Sequence, residues 1–168
     1  MKPVQIFTIG FTQTSAADFF AALRAAGVVR VVDVRLNNTS QLASFSKRDD
    51  LAFFLRELAG IDYVHLPLLA PTQELLDAFK KQKGSWADYE EAFLRLMRAR
   101  AVEQAVPRDL LQRACLLCSE RQPQCCHRRL VAEYLQSCWG DVEIVHLPRD
   151  DASRPAPTAT RQRRQRSG

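Results

Sequence analysis

Residues 114–139 read ACLLCSERQPQCCHRRLVAEYLQSCW. The apolar run at 114–117 closes on Cys118, Ser119 and Glu120 and reads as a buried strand. A short polar turn follows. From Cys126 onward the apolar period changes, and Val131, Tyr134, Leu135 and Cys138 share one side of a helix. Strand, turn and helix in that order form the repeating unit of a parallel sheet covered by helices.

The unit recurs in both directions. VQIFTIG (4–10), VVRVVDVR (28–35), DYVHLPLL (62–69) and VEIVHLP (142–148) supply four more strands. Between the first two lies a helix with Ser15 as cap, Asp18 in its first turn, Phe19, Leu23 and Ala26 on one face, and Gly27 as stop. The next helix repeats the recipe with Ser46 as cap, Leu51, Phe54, Leu55 and Leu58 as stripe, and Gly60 as stop. Residues 72–106 read as a longer helical stretch with Trp86, Tyr89, Phe93 and Leu96 on one face. Pro107 interrupts it before a short helix at 108–113. The expected fold is a single three-layer α/β domain over 1–148, with a mostly parallel sheet of about five strands and helices on both faces.

The chain has 168 residues, 46% of them apolar, which suits one domain with a substantial core. No apolar run reaches the ~18–20 residues that span a bilayer, so no membrane association is expected. Five cysteines, four of them within 115–126, do not resemble a secreted disulfide framework, and a cytoplasmic setting is expected. Of the net charge of +5, residues 149–168 carry +4, from six Arg and two Asp. That segment lacks aromatics and periodicity and is expected to be a disordered Arg-rich tail. It serves either as a solubility arm or as a phosphate-contacting arm for nucleic acid. GxGxxG and GxxxxGK[ST] loops are absent, so neither a dinucleotide site nor a P-loop is expected.

In such sheets ligands bind beyond the carboxyl ends of the strands, so polar residues that close apolar strands converge there. Gly10 closes the first strand and would let backbone approach a ligand. Asp33 and Arg35, two apart, lie on one side of the second, with Arg35 as an anion clamp and Asp33 as its partner or a general base. Asn37, Asn38, Ser40 and Lys47 follow as further contacts. Tyr63 stands on the third strand. His65 and His146 read as satisfied core histidines.

Cys118 and Glu120 share one side of the fourth strand's end. Cys115, three residues from Cys118, faces the other way and reads as core. Cys126, His127 and Arg128 read as the first turn of a helix, where the dipole and unpaired N–H groups favour an anion and lower a thiol's pKa. Cys126 or Cys118 is then a thiolate nucleophile, Asp33, Glu120 and His127 are acid–base candidates, and Arg35 and Arg128 hold an anion. Cys118, Cys126 and His127 also make three soft donors for zinc or iron. Consecutive helical residues diverge by about 100°, which argues against that, and no metal or other cofactor is assigned. Buried cysteines beside a capping arginine are the plain structural alternative.

The segments FTIGFT, VVDVRLNNTS, FSK, IDYVHLPLLA, LLCSE and CCHRRLVAEYL, in this order over about residues 5–148, resemble the motifs of the domain-of-unknown-function 488 family. The resemblance implies a compact α/β domain, generally bacterial or archaeal. It implies motif roles for Gly10, Asp33, Arg35, Cys118, Glu120, Cys126, His127 and Arg128, with Tyr63 and Tyr89 similar. It carries no reaction. Departures stand at Phe11-Thr12, where the family has a His, at Leu36-Asn37-Asn38, and at Ala70-Pro71, where it has glycines. The function expected is an enzyme on an anionic, nucleotide-like or phosphorylated ligand. A nucleic-acid-binding module and a metal-binding protein are the alternatives.

Overall fold

A computed structural model describes residues 2–39 and 44–148. Ser40 and the 149–168 segment lie outside the described residues. Five strands, β1 (Val4–Gly10), β2 (Arg30–Asp33), β3 (Asp62–His65), β4 (Ala114–Cys118) and β5 (Val142–His146), form one sheet in the order β3-β2-β4-β1-β5. Every pairing is parallel, so the expected α/β sheet is borne out, without an antiparallel strand among the described residues.

Period-2 alternation sorts the core into two layers. Ile6, Val32, Val34 and Leu116 point to one face, and Phe7, Ile9, Val31 and Leu117 to the other. Helix α1 (Ala16–Ala26) covers the second face with Phe19 and Leu23, and α2 (Arg48–Phe54) covers it with Leu51. The first face carries the long excursion between β3 and β4: α3 (Gln73–Lys80), α4 (Trp86–Ala99), α5 (Val102–Ala105) and α6 (Arg108–Leu111). Helix α7 (His127–Trp139) lies on that face too, through Leu130, Val131 and Leu135.

The α1 signals act as read. The Ser15 hydroxyl accepts from Asp18 N at 3.0 Å, and Gly27 ends the helix at φ 70°. Four expectations are corrected. Lys47, not Ser46, is the N-cap of α2, without a side-chain bond, because Ser46 belongs to a buried 3-10 turn. A π turn at Leu55–Ala59 adds a residue to the helical circuit and swings Leu58 out of the stripe, 62% exposed. The 72–106 stretch is three helices, since Gly84 breaks it and Ser85 caps α4 onto Asp88 N at 3.1 Å. Cys138 is exposed on α7 rather than inward.

The chain leaves β2 toward the edge strand β3, and leaves the neighbouring β4 toward β5 on the opposite side. Successive connections therefore part around the carboxyl ends of the central strands, which opens a crevice there.

Candidate functional site: a thiol and imidazole cleft

Cys118 ends β4 on the helix-rich face, beside Gly10 in register. The loop after it turns back at Pro123, whose carbonyl accepts from Cys126 N at 3.2 Å. Cys126 is then the N-cap of α7, with extended backbone at φ −137° and ψ 136°. It therefore stands outside the helix, and the ~100° divergence expected between it and His127 does not apply. The loop returns Cys126 and His127 to Cys118, and one donor atom from each lies within 4.8 Å of the others.

Cys118 Sγ is 3.7 Å from His127 Nδ1. His127 Nε2 lies 2.7 Å from the Val34 carbonyl. A carbonyl only accepts, so Nε2 carries the hydrogen and Nδ1 faces the thiol. The Cys118 thiol is pulled well below its ordinary range, first by the hydrogen bond from the Cys126 thiol, then by the charge and hydrogen bond of His127. Burial opposes this without reversing it. Cys126 is pushed up, because its proton is shared toward Cys118 and because it is buried. Burial works against charge on His127, yet the Cys118 thiolate beside it carries its pKa above the ordinary imidazole value. The three groups together favour one thiolate and one imidazolium.

These groups form the floor of a cleft of about 210 Å³. Leu36 and Asn37, just past β2, make one wall, and Glu120 stands at the mouth opposite Lys80, 4.0 Å away. The far wall comes from α3 and α4, in Phe79, Trp86 and Tyr89. Of this wall only Tyr89 had been singled out, through the family resemblance. Trp86 read only as part of a helix face and Phe79 had no role, because α3 and α4 reach the cleft only after folding back over the sheet. The break at 81–85 between aromatic positions was the available signal.

The candidate residues separate into two groups. The structure brings Arg35, Cys118, Glu120, Cys126 and His127 together around the cleft. Asp33, Gly10, Arg128, Tyr63 and Lys47 are not on its lining.

Asp33 points to the face opposite Cys118 and is fully buried. Its carboxylate takes Arg35 Nε at 2.8 Å and Nη2 at 2.7 Å, and accepts from Tyr63 Oη at 2.6 Å. Arg35 Nη2 also donates to the Ser46 carbonyl at 2.8 Å, and the guanidinium lies 5.2 Å from the Phe11 ring centroid. Burial alone would lower the Arg35 pKa, but its bond to Asp33 raises it. Burial and the bond to Asp33 both push Tyr63 up. His65 Nε2–H donates to the Arg35 carbonyl at 2.8 Å.

Arg128 is fully buried and spends its donors inside the protein. It donates to the carbonyls of Glu120 and Arg121, to the Thr8 hydroxyl and to Cys126 Sγ at 3.5 Å. It therefore shapes the loop between β4 and α7 and does not stand on the cleft's lining, where an anion clamp was expected. Gly10 has a packing reason as well, since a Cβ there would overlap the Glu120 carbonyl oxygen that Arg128 holds. His146 Nδ1 lies 2.7 Å from the Thr8 hydroxyl.

Among the described residues no helix is long and apolar enough to cross a membrane. Neither a curated protein nor a solved structure matches the chain. A family model, described as a domain of unknown function, DUF488, matches residues 15–135, from the cap of α1 well into α7. The match covers Asp33, Arg35 and the whole thiol–imidazole cluster, and leaves β1 and β5 outside. With more than two thirds of its length matched, the chain belongs to the DUF488 family.

Proposed function

We propose that the protein is an enzyme that uses Cys118 as a thiolate nucleophile, with His127 as its acid–base partner. The observation that carries this is the 3.7 Å contact between Cys118 Sγ and His127 Nδ1 on the floor of an open cleft, with Nε2 pinned by the Val34 carbonyl. A nucleophile, a base and a third group that orients the base are the working parts of covalent catalysis. Attack by the thiolate forms a bond from sulfur to an electrophilic ligand atom. The imidazolium returns its Nδ1 proton to the departing group. Glu120, half-exposed at the mouth, is placed to take a proton from a water that releases the product. The cleft's size supports a small ligand. The test is alkylation of the native protein by iodoacetamide near neutral pH, mapped by peptide. Rapid labelling at Cys118, lost in His127→Ala, supports the proposal, and a Cys118 no more reactive than a free thiol ends it.

A second reading has its own observation. Cys118, Cys126 and His127 place two sulfurs and a nitrogen within 4.8 Å, and the Val34 carbonyl accepts from the imidazole's far nitrogen, as carbonyls do behind metal-binding histidines. Elemental analysis of untagged protein separates the two. About one zinc or iron per chain, removable by chelator and lost in Cys126→Ala, favours the metal. Metal-free protein with a reactive Cys118 favours the thiolate.

A further inference from the structure

The wall facing the thiols is a run of rings. Phe79 and Trp86 have centroids 5.7 Å apart, Trp86 and Tyr89 5.1 Å, Tyr89 and Phe93 6.0 Å, and Phe93 and His127 5.6 Å. Trp86 and Tyr89 are stacked, with planes 22° apart, and Trp86 is only half-buried. An aromatic surface that lines a cleft and is not fully covered receives a flat ring at little cost in ordering.

The polar groups say what kind of ring. Arg35 lines the cleft, yet its Nε and Nη2 are held by Asp33 and Ser46. Nη1 makes no hydrogen bond among the described residues, although Arg35 is 96% buried (4% exposed). It is a donor whose charge Asp33 already offsets. Such a group suits a neutral acceptor such as a ring carbonyl better than a phosphate. Lys80 and Glu120 offset one another at the mouth. Asn37 brings an amide, donor and acceptor together, to the other wall. The cleft's ~210 Å³ falls below the ~300 Å³ at which pockets for drug-sized ligands begin, which fits one ring system and its substituents.

From this we infer that the cleft takes an uncharged, carbonyl-bearing heteroaromatic ring of the nucleobase type. The ring stacks on Trp86, its carbonyl accepts from Arg35 Nη1, and its edge is read by Asn37. The inference names the substrate class for the site of the proposed thiolate enzyme. It rests on that reading only in taking the cleft as the place of binding.

Trp86 supplies its own reporter. The chain has two tryptophans, and Trp139 packs elsewhere, against Arg108. In full-length Trp139→Phe protein, uracil, thymine and guanosine are titrated while Trp86 emission is followed, beside benzoate and inorganic phosphate. Saturable quenching by the carbonyl-bearing rings, with no response to phosphate, is expected. In the otherwise wild-type chain, Trp86→Leu should weaken uracil binding, read by ligand-observed NMR, by roughly ten-fold or more, and Asn37→Ala by a smaller factor. Cys118→Ser should bind as before, so a failed thiolate reading would leave this result standing. Absence of quenching by any ring up to solubility overturns the inference. So does phosphate or benzoate competing as well as uracil, or Trp86→Leu binding uracil unchanged.

Discussion

Two polar clusters close neighbouring strands of this sheet, and they have opposite characters. Asp33 and Arg35 end β2 facing α2, with 0% and 4% exposure. Every oxygen of the carboxylate is taken by Arg35 or Tyr63. Cys118 and His127 meet at the end of β4 on the other face, where α3 and α4 stand off and leave a cleft. Strand ends bring polar groups to one rim, but the face each side chain takes decides whether it meets packed helix or open space. On the closed side the charges fasten the loop that follows β2, and that loop presents the Val34 carbonyl to His127. The first cluster thus positions the second, and of its members only Arg35 reaches the cleft.

The comparison breaks most visibly under substitution. Asp33→Ala should cost about 3–5 kcal/mol of unfolding free energy, because it leaves the Arg35 guanidinium buried without its counter-charge. Denaturant titration measures this, and a loss below ~1 kcal/mol would show that the pair is not the closed structural element described. Gly10→Ala should cost about 2–3 kcal/mol, since its Cβ meets a backbone carbonyl that Arg128 holds in place. By contrast, Cys118→Ala removes one sulfur from a site that borders the cleft and should cost about 1 kcal/mol. If it destabilises as much as Asp33→Ala, the thiol is core and the contrast between the clusters fails.

Titration sharpens the contrast further. The folded Cys118 pKa is lowered and that of His127 raised, so the ion pair occupies the window between them. The Cys118 contribution to stability is present above its unfolded value and lost as pH falls through the folded one. The His127 contribution is full below about pH 6.5 and lost as pH rises through its raised folded value. Cys126→Ala removes the largest cause of the Cys118 shift and should move the midpoint of Cys118 alkylation upward. The smallest effect is expected at the mouth. Lys80→Ala should change stability by no more than ~0.5 kcal/mol, because the group and its partner Glu120 are both more than half exposed.

Much of the fold was legible because it rests on local rules. The apolar run at 4–10 read as a strand, Ser15 and Gly27 bounded α1, and the β4–α7 unit announced a parallel sheet. The π turn that exposes Leu58 was not legible, since an inserted helical residue leaves no mark on an apolar stripe. At the site, chemistry was easier to read than accessibility. Cys118, His127 and Arg35 were recognisable as reactive types at strand and helix ends. That Arg128 would turn inward onto the carbonyls of Glu120 and Arg121 depends on a long side chain meeting a loop, which spacing does not encode. That Cys126 would stand outside the helix followed from the turn at Pro123, and it reversed the geometric objection to grouping it with His127. Phe79 and Trp86 of the aromatic wall were hidden because the wall is built by helices distant in sequence from the thiols.

The central claim is that Cys118 is an accessible thiolate held by His127. The most direct measurement is the rate of iodoacetamide labelling at Cys118 across pH, resolved by peptide mapping from the exposed Cys125 and Cys138. The expected profile rises through a midpoint well below the ~8.5 of a free cysteine and levels off near neutrality, with His127→Ala shifting it upward. A Cys118 that stays unlabelled, or that titrates at or above ~8.5 in the native protein, would contradict the account.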